Sequence, residues 1–244
     1  MAISRVRALR IRALALLTLG TFGGFCAAAS SQDGFAAERS RMVSEQIAAR
    51  GIKDPRVLQA LRRIPRHLFV PRDLQALAYN DRPLFIGHEQ TISQPYIVAL
   101  MSELARPQPT DRALEVGTGS GYQAAVLSEL VARVYTIEIV EPLGRDAEQR
   151  LKRLGYANVT VRIGDGDAGW PEMAPFDIIL VTAAPDHVPQ PLVEQLKPGG
   201  RMVIPVGPIF ARQELRLIEK DASGHVRTNS VAPVAFVPLT RGKR

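Results

Sequence analysis

The hydrophobic pattern of the chain changes near residue 112. Before that point, apolar residues recur at helical spacing, and polar stretches with proline or glycine separate them. This pattern predicts helices over about residues 36–50, 54–63 and 96–104, with residues 81–92 irregular. After that point, short apolar runs alternate with amphipathic stretches, which predicts strands connected by helices.

The alternating part of the chain predicts five strands in succession. The strands are expected at Arg112–Val116, Val134–Glu138, Val159–Ile163, Asp177–Val181 and Arg201–Pro205. Helices are expected between them at Tyr122–Val131, Glu141–Leu154 and Pro189–Leu196. Because strand–helix–strand crossovers are right-handed, these strands should form a parallel sheet with helices on both faces.

Two further apolar runs follow, at Glu214–Glu219 and Val231–Val237, and the polar turn Asp221-Ala222-Ser223-Gly224 lies between them. A polar tetrapeptide between apolar runs is typical of a hairpin, so the sheet should end antiparallel. We predict one domain over residues 32–244, made of a helical segment at 32–110 and an α/β core at 111–244.

The first predicted strand leads directly into a glycine-rich loop, Glu115-Val116-Gly117-Thr118-Gly119-Ser120-Gly121. Glycines at a strand-to-helix turn allow positive φ and a close approach of the backbone to a ligand. Such a loop could serve NAD, FAD, a nucleotide or S-adenosylmethionine. The dinucleotide fingerprint needs a third glycine where this chain has Tyr122, and the phosphate-binding P-loop motif is absent from the sequence. The spacing therefore favours a nucleoside-type cofactor, and S-adenosylmethionine above the others.

Acidic residues stand at the ends of three successive predicted strands. In an open α/β sheet, ligands bind beyond the carboxyl ends of the strands. Glu138 follows Gly117 by 21 positions, a spacing that places a carboxylate beside a ribose. Asp165 could accept a hydrogen bond from an adenine amine, although alone it would be read as a turn aspartate. Glu115 suits a cofactor with a sulfonium and an ammonium group, and together the three acids favour an adenosyl cofactor.

A polar stretch from Gly87 to Pro95 precedes the sheet and carries more hydrogen-bonding groups than a linker needs. Its simplest interpretation is a capping loop in which Ser93 is the N-cap of the helix that begins near Pro95. The four histidines show no metal-ligand spacing, and Cys26 is the only cysteine of the chain. We therefore expect neither a metal site nor a cysteine nucleophile in the folded part.

The net charge of +7 is unevenly distributed along the chain. Residues 1–31 hold four arginines and no acid, so the remainder is much less basic. We find no basic stripe with interleaved aromatic residues and expect no nucleic-acid partner. Residues 5–30 combine a basic, an apolar and a small-residue segment, which are the parts of a secretory signal peptide. The apolar part is short and interrupted, so we expect no stable membrane span in the mature protein.

Several motifs together resemble the protein-L-isoaspartate (D-aspartate) O-methyltransferase family, over about residues 42–240. The glycine loop is generic among methyltransferases, whereas Thr91-Ile92-Ser93-Gln94-Pro95 is much more specific. Further matching segments are Ile64-Pro65-Arg66, Phe69-Val70-Pro71, Gly164-Asp165-Gly166, Thr182-Ala183-Ala184-Pro185, Leu196-Lys197-Pro198-Gly199-Gly200 and Phe236-Val237-Pro238-Leu239-Thr240. The resemblance implies a Rossmann-like class I methyltransferase fold, with a seven-stranded, mostly parallel sheet, an antiparallel C-terminal hairpin and added N-terminal helices.

The resemblance also implies a reaction. S-adenosylmethionine would donate its methyl group to the free α-carboxylate of an L-isoaspartyl or D-aspartyl residue in a damaged protein, and the ester would close to a succinimide that starts repair. Ser93 would then be the catalytic residue that contacts the substrate carboxylate. The residues expected at the cofactor are Thr91, Ile92, Glu115, Gly117, Thr118, Gly119, Gly121, Glu138, Ile139, Asp165, Gly166 and Thr240.

The implied chemistry fits the residue types that the chain offers. A carboxylate is already ionised at neutral pH, so methyl transfer to it needs no strong base, and desolvation and in-line positioning would supply the rate. Two alternatives stay open: a methyltransferase of the same fold acting on another substrate, and a protein that binds isoaspartyl sites without turnover. We expect a monomer in the cytoplasm, where the methyl donor is made. The signal-like leader makes a periplasmic or secreted protein the alternative.

Overall fold

A computed structural model describes residues 34–208 and 212–241 of the protein, so the leader predicted at residues 1–31 lies outside the described part. The helical segment begins with α1 (Ala36–Arg41), which continues as a π-helical stretch (Met42–Ile47) and a 3₁₀ turn (Ala48–Arg50). Gly51 ends it with φ +99°, a conformation that glycine adopts at little cost. The helix predicted over residues 36–50 is therefore confirmed, although it is not a uniform α-helix.

Helix α2 (Pro55–Arg63) begins where the sequence predicts. Asp54 is its N-cap and accepts a hydrogen bond from Arg56 N at 2.8 Å. Pro55 occupies the first turn, where its missing N–H costs nothing. Two 3₁₀ turns follow, at Arg66–Phe69 and Arg72–Leu77.

Residues 81–92, predicted to be irregular, contain a two-stranded antiparallel hairpin. Its strands are β1 (Leu84–Gly87) and β2 (Gln90–Ile92), and its turn places His88 and Glu89 at φ +52° and +57°. Turns with two positive φ values normally use sequences such as Asn-Gly. The prediction was wrong because the two central positions of this turn, His88 and Glu89, are not residues that usually occupy them.

Helix α3 (Pro95–Leu104) confirms the predicted helix but not its predicted cap. The N-cap position is Gln94, whose side chain does not cap the helix. The carboxylate of Asp81 supplies the cap, since it accepts hydrogen bonds from Tyr96 N at 3.0 Å and from the Gln94 side-chain amide at 2.7 Å. The prediction of Ser93 as the N-cap was wrong because an acceptor distant in sequence takes that role.

Seven strands form the central sheet in the order β5-β4-β3-β6-β7-β8-β9. Their bounds are β3 (Arg112–Val116), β4 (Arg133–Glu138), β5 (Val159–Ile163), β6 (Phe176–Val181), β7 (Leu196–Val206), β8 (Gln213–Lys220) and β9 (Val226–Val234). Strands β3 to β7 are parallel, and β8 and β9 complete the sheet in antiparallel pairing. The predicted fold class is confirmed.

Helices cover both faces of the sheet, as the alternating pattern predicts. They are α4 (Tyr122–Ser128), α5 (Glu141–Arg153) and α6 (Gln190–Gln195). Leu127 of α4 and Leu151 of α5 belong to one buried apolar cluster, and Leu192 of α6 belongs to a second. Within the described residues, no helix is long and apolar enough to cross a bilayer.

Strand β9 and the tail after it differ from the prediction of a strand at Val231–Val237. Residues 226–231 are exposed on this edge strand, so they lack the apolar alternation by which strands are recognised. Beyond Val234 the chain leaves the sheet and passes the end of β6, where Ala184 N donates to Val237 O and Leu239 N donates to Ala184 O, each at 2.8 Å. The tail is thereby held over the carboxyl ends of the strands.

Candidate active site

A cavity lies at the carboxyl ends of β3, β4 and β6, where the strand order reverses around β3. The glycine loop, the hairpin strand β2 and the C-terminal tail surround it. The residues predicted for the site that line this cavity are Thr91, Ile92, Ser93, Glu115, Gly117, Thr118, Gly119, Glu138, Ile139, Gly166 and Thr240. The fold thus brings together residues from five separate segments.

Gly121 and Asp165 do not line the cavity. Gly121 is the N-cap of α4 with φ +87°, and a Cβ there would stand 3.1 Å from Leu151 Cδ1, so this glycine serves close packing of the helix. Asp165 Oδ1 accepts a hydrogen bond from Asp167 N at 2.9 Å, which is the geometry of a turn aspartate. Gly121 thus packs against α5 and Asp165 stabilises its own turn, and the cofactor contact expected of each stays a prediction.

The glycine loop is held between the two strands that flank β3. Gly117 N donates to Ile137 O at 2.8 Å, and Thr182 Oγ1 donates to Gly117 O at 2.6 Å. Gly117 has φ +100°, and a Cβ at this position would collide with Thr182 Oγ1. The loop therefore needs glycine here both for its backbone conformation and for its approach to β6.

Glu138 supports the same loop from the end of β4. This buried carboxylate accepts hydrogen bonds from Gly119 N at 2.7 Å through Oε2 and from Val140 N at 3.0 Å through Oε1. Each carboxylate oxygen has a second lone pair, so a further hydrogen bond to a ligand in the cavity is compatible with these contacts. Glu138 thus shapes the cavity wall in addition to the ribose contact predicted for it.

Glu115 is fully buried at the base of the cavity, in a chain of hydroxyl groups. Thr136 Oγ1 donates to Glu115 Oε2 at 2.6 Å, and Thr118 Oγ1 lies 2.6 Å from Thr136 Oγ1. Burial raises the pKa of Glu115 to about 8 against the opposing effect of the Thr136 hydrogen bond, and the charge of Glu138 raises it further. Oε1 is buried without a hydrogen-bond partner among the described residues. An orphaned acceptor of this kind fits a ligand that brings a cation or a hydrogen-bond donor.

The raised pKa of Glu115 predicts a specific pH dependence of stability. The folded protein keeps a proton that the unfolded chain loses above its ordinary pKa of 4.5, so stability falls as the pH rises from 4.5 towards 8. Glu115→Gln cannot ionise. In urea unfolding without ligand, we expect it to match the unsubstituted protein near pH 4.5 and to exceed its stability near pH 8 by about 4 kcal/mol. Glu141→Gln, at an exposed position, is the control, and an equal difference at both pH values for Glu115→Gln would contradict the assignment.

The histidines of the described part line neither this cavity nor its neighbour. His67 Nδ1 lies 2.8 Å from the Tyr79 hydroxyl in the helical segment. Within residues 34–208 and 212–241, no group of three or more His, Cys, Asp or Glu side chains could hold a metal ion. The polar groups that the cavity presents are carboxylates, hydroxyls, amides and backbone groups.

Arg66 is a residue whose part in the site the sequence did not reveal. It is fully buried, and it donates from Nε to Ala78 O and from Nη2 to Ser93 O, each at 2.8 Å. Its guanidinium lies 4.8 Å from the ring centroid of Tyr122, the first residue of α4. Burial lowers its pKa to about 10, so it stays charged at neutral pH. Arg66 therefore joins Ser93 to the helix that follows the glycine loop, and its only sequence signal was its place in the Ile64-Pro65-Arg66 motif.

A second cavity adjoins the first at Ser93. Its walls are formed by Pro83, Thr91, Ser93, Gln94, Ile97, Thr182 and residues 233–237. Thr91, Ser93, Thr182 and Val237 line both cavities, and no residue in the second lining is charged. The two cavities can therefore hold two reactants side by side, with the Ser93 segment between them.

The sheet order, the glycine loop after the central strand and the acidic residue that ends the next strand define a class I, S-adenosylmethionine-dependent methyltransferase. The unpaired Glu115 Oε1 in the cavity fits this cofactor, which carries two positive charges. Within that class, the chain belongs to the protein-L-isoaspartate(D-aspartate) O-methyltransferase family, whose model matches residues 37–244.

Two relatives illustrate the similarity. The chain is 63% identical over 187 residues to protein-L-isoaspartate O-methyltransferase 2 of Polaromonas sp. strain JS666, covering 77% of this chain and 89% of the relative. It is 58% identical over 205 residues to the protein of the same name from Syntrophobacter fumaroxidans, covering 84% and 83%.

Solved structures show the same similarity. A protein-L-isoaspartate O-methyltransferase superposes with a TM-score of 0.73 at 31% identity, over 82% of this chain and 65% of the other. A Plasmodium falciparum beta-aspartate methyltransferase (PCMT) in complex with S-adenosyl-L-homocysteine superposes with a TM-score of 0.72 at 25% identity, over 84% and 99%.

Proposed function

We propose that this protein is an enzyme that methylates the free α-carboxylate of L-isoaspartyl and D-aspartyl residues in damaged proteins and peptides, with S-adenosylmethionine as the methyl donor. The observation that carries the proposal is the meeting of two different cavities at Ser93. One has the glycine loop and buried acids that suit the donor, and the other has the uncharged walls that suit a polypeptide segment. The family to which the chain belongs supports the same reaction.

The donor cavity is proposed to bind S-adenosylmethionine through the residues that line it. Without ligand the Glu115 carboxyl keeps its proton up to about pH 8; the positive charge of the bound ligand favours the ionised form, whose unpaired Oε1 would face that charge. Glu138 offers its remaining lone pairs to hydroxyl groups. The backbone of Gly117 and Gly119 permits close approach. Bound there, the cofactor supplies an electrophilic methyl group on a sulfonium. Gly121 and Asp165, also predicted to contact the cofactor, are next in sequence to the lining residues Ser120, Tyr122 and Gly166 and stay part of the proposed cofactor site.

The acceptor is proposed to enter the second cavity with its carboxylate at Ser93. The hydroxyl of Ser93 can donate a hydrogen bond to this carboxylate, and the buried charge of Arg66, bonded to Ser93 O, attracts the anion. The carboxylate is ionised at neutral pH, so one of its oxygens can form the bond to the methyl carbon without a general base. Because the product ester is neutral, the attraction to Arg66 is lost after transfer, which favours release.

The walls of the acceptor cavity raise the reactivity of the carboxylate. Ile97, Val234 and Phe236 offer no hydrogen bonds from their side chains, so an entering carboxylate exchanges its water shell for Ser93 and the field of Arg66. Opposite charges are neutralised during methyl transfer, and a less hydrated environment lowers the barrier to such a step. The residues of the acceptor cavity therefore accelerate methyl transfer by positioning the carboxylate and by removing its water.

Ser93→Ala tests the proposed place of the acceptor. We expect kcat with an isoaspartyl peptide to fall about tenfold, since the hydroxyl orients a group whose charge is being neutralised rather than created. The Kd of S-adenosylmethionine, measured by calorimetry, should stay within about twofold because the backbone of Ser93 is unchanged. Ser44→Ala, at an exposed position of the helical segment, is the control. Equal losses of turnover and cofactor affinity in Ser93→Ala would contradict the placement.

Two other functions are separated by simple measurements. A protein that binds isoaspartyl sites without turnover would bind the peptide but release no labelled methyl product, and it need not bind S-adenosylmethionine. A methyltransferase for another substrate would bind the cofactor and ignore the peptide. Thr182-Ala183-Ala184-Pro185 after β6, where amine methyltransferases carry an Asn/Asp-Pro-Pro-Tyr motif, argues against an amine acceptor.

We also propose that the enzyme works in the cytoplasm, because its methyl donor is made there. We propose in addition that it works as a monomer. Export through residues 1–31 is the alternative, and these residues have the composition of a signal peptide. N-terminal sequencing of the natural protein after cell fractionation distinguishes the two. A mature N-terminus near residue 31 in an extracytoplasmic fraction would overturn the cytoplasmic assignment.

A further inference from the structure

The β1–β2 hairpin stands between the two cavities, and its residues face them in alternation. Gln90 and Ile92 line the cofactor cavity alone, and across the hairpin Ile86 Cδ1 lies 3.4 Å from where a Gly119 Cβ would stand. Pro83 lines the acceptor cavity alone, and Thr91 lines both. Because side chains alternate along a strand, the face with Gln90 and Ile92 contacts the cofactor cavity alone, and the face with Thr91 is the one that reaches the acceptor cavity.

Phe85 lies on the face that belongs to the acceptor. It is the cross-strand partner of Thr91, and paired residues project from the same face of a hairpin. Pro83, which lines the acceptor cavity, directly precedes β1 and is two positions before Phe85. Phe85 is 70% exposed and is not part of the cavity wall, but its cross-strand partner Thr91 lines the acceptor cavity, so we assign Phe85 to the rim of that cavity.

The rim and the wall of the acceptor cavity are both uncharged and largely apolar. Pro83, Ile97 and Val234 are apolar, and none of the residues that line the acceptor cavity is charged. A polypeptide that places a carboxylate at Ser93 must lay its neighbouring side chains along this wall and past Phe85. Apolar neighbours would cover exposed apolar surface there, whereas charged neighbours would find no partner in the wall.

We propose that Phe85 is a specificity-determining residue that binds an apolar side chain next to the isoaspartyl residue. This inference rests on the proposed function and adds a substrate preference to it: damaged sites flanked by aliphatic or aromatic residues are methylated ahead of those flanked by small polar ones. The contact with Phe85 is made outside the reacting centre, so it acts on binding of the acceptor and leaves the methyl-transfer step unchanged.

The preference is tested with two isoaspartyl hexapeptides that differ only in having Leu or Ser on both sides of the isoaspartyl residue. Phe85→Ser is compared with Val226→Ser, which also removes an exposed apolar side chain. Val226 is 43% exposed, belongs to β9 and lines neither cavity. We expect the unsubstituted enzyme to favour the Leu peptide in kcat/KM about fivefold or more, and Phe85→Ser to lose most of that preference through KM. In Phe85→Ser, kcat/KM for the Ser peptide, kcat for the Leu peptide and the Kd of S-adenosylmethionine should each change by less than about twofold. Val226→Ser should behave as the unsubstituted enzyme.

The outcomes separate this inference from the function on which it rests. If the unsubstituted enzyme methylates both peptides equally well, the proposed function stands and the role of Phe85 fails. The role also fails if Phe85→Ser keeps the preference, if Val226→Ser loses it equally, or if Phe85→Ser lowers cofactor affinity and kcat for both peptides. Methylation of neither peptide by the unsubstituted enzyme would overturn the function and the inference together.

Discussion

Gly117→Ala should weaken the binding of S-adenosylmethionine at least about 100-fold, because a displaced loop loses its fit to the ligand. Gly117 has φ +100°, and a methyl group there would collide with Thr182 Oγ1. Thr182 cannot move aside cheaply, since the same oxygen donates to the backbone at 2.6 Å (Gly117 O) and 3.1 Å (Val116 O). The loop or the end of β6 must therefore shift, and both line the cofactor cavity. Isothermal calorimetry of the purified variant measures the effect.

Gly51→Ala is a matched control for this substitution. Gly51 has nearly the same φ, +99°, but a Cβ there meets no atom within 4 Å. It should cost about 1–2 kcal/mol of unfolding free energy through its positive φ and leave cofactor affinity unchanged. Gly117→Ala should show the same backbone cost in addition to the collision. Equal cofactor affinities for the two variants would contradict the role given to the close approach of Gly117 and Thr182.

Arg66→Lys should lower kcat by up to about 100-fold although it keeps the positive charge, because small displacements of a reacting group are costly. The guanidinium bonds Ala78 O and Ser93 O at once, and a single ammonium group cannot reproduce this fork. Ser93 then loses the contact that fixes its backbone, and one buried carbonyl loses its donor. We expect a loss of about 2–3 kcal/mol in unfolding free energy as well, from the unsatisfied carbonyl and the harder burial of an ammonium group.

Arg72→Lys, at an exposed position in the following 3₁₀ turn, is the matched control and should change neither quantity. The measurements are urea unfolding and steady-state kinetics with an isoaspartyl peptide. A fall in stability with kcat unchanged would show that Arg66 supports only the fold. Unchanged kcat and stability together would contradict both roles.

The α/β core could be predicted because its physical signals are local. Strands that are buried on both faces appear in the sequence as short apolar runs. The glycine spacing that begins at Gly117 lacks the third glycine of the dinucleotide fingerprint, which argues against a dinucleotide cofactor. The edge strand β9 gave a weaker signal, since residues 226–231 are exposed and carry no apolar alternation. Its predicted bounds were therefore displaced towards the tail.

The N-terminal part of the site depends on contacts that the sequence does not display. The β1–β2 hairpin turns through His88 and Glu89 at positive φ, against the usual residue preferences. Asp81 caps α3 from 15 positions away, through Tyr96 N, and Arg66 reaches Ser93 across 27 positions. Ser93 itself was assigned to the acceptor by family resemblance, because the local pattern alone predicted a helix cap.

Methyl transfer to a matched pair of peptides tests the central claim most directly. The two peptides have the same sequence, one with an isoaspartyl and one with an ordinary aspartyl residue, and the donor is S-adenosylmethionine with a labelled methyl group. The account predicts base-labile methyl ester on the isoaspartyl peptide and none above background on the aspartyl peptide, with the signal reduced in Ser93→Ala. Equal labelling of both peptides, or labelling of neither by an enzyme that binds the cofactor, would contradict it.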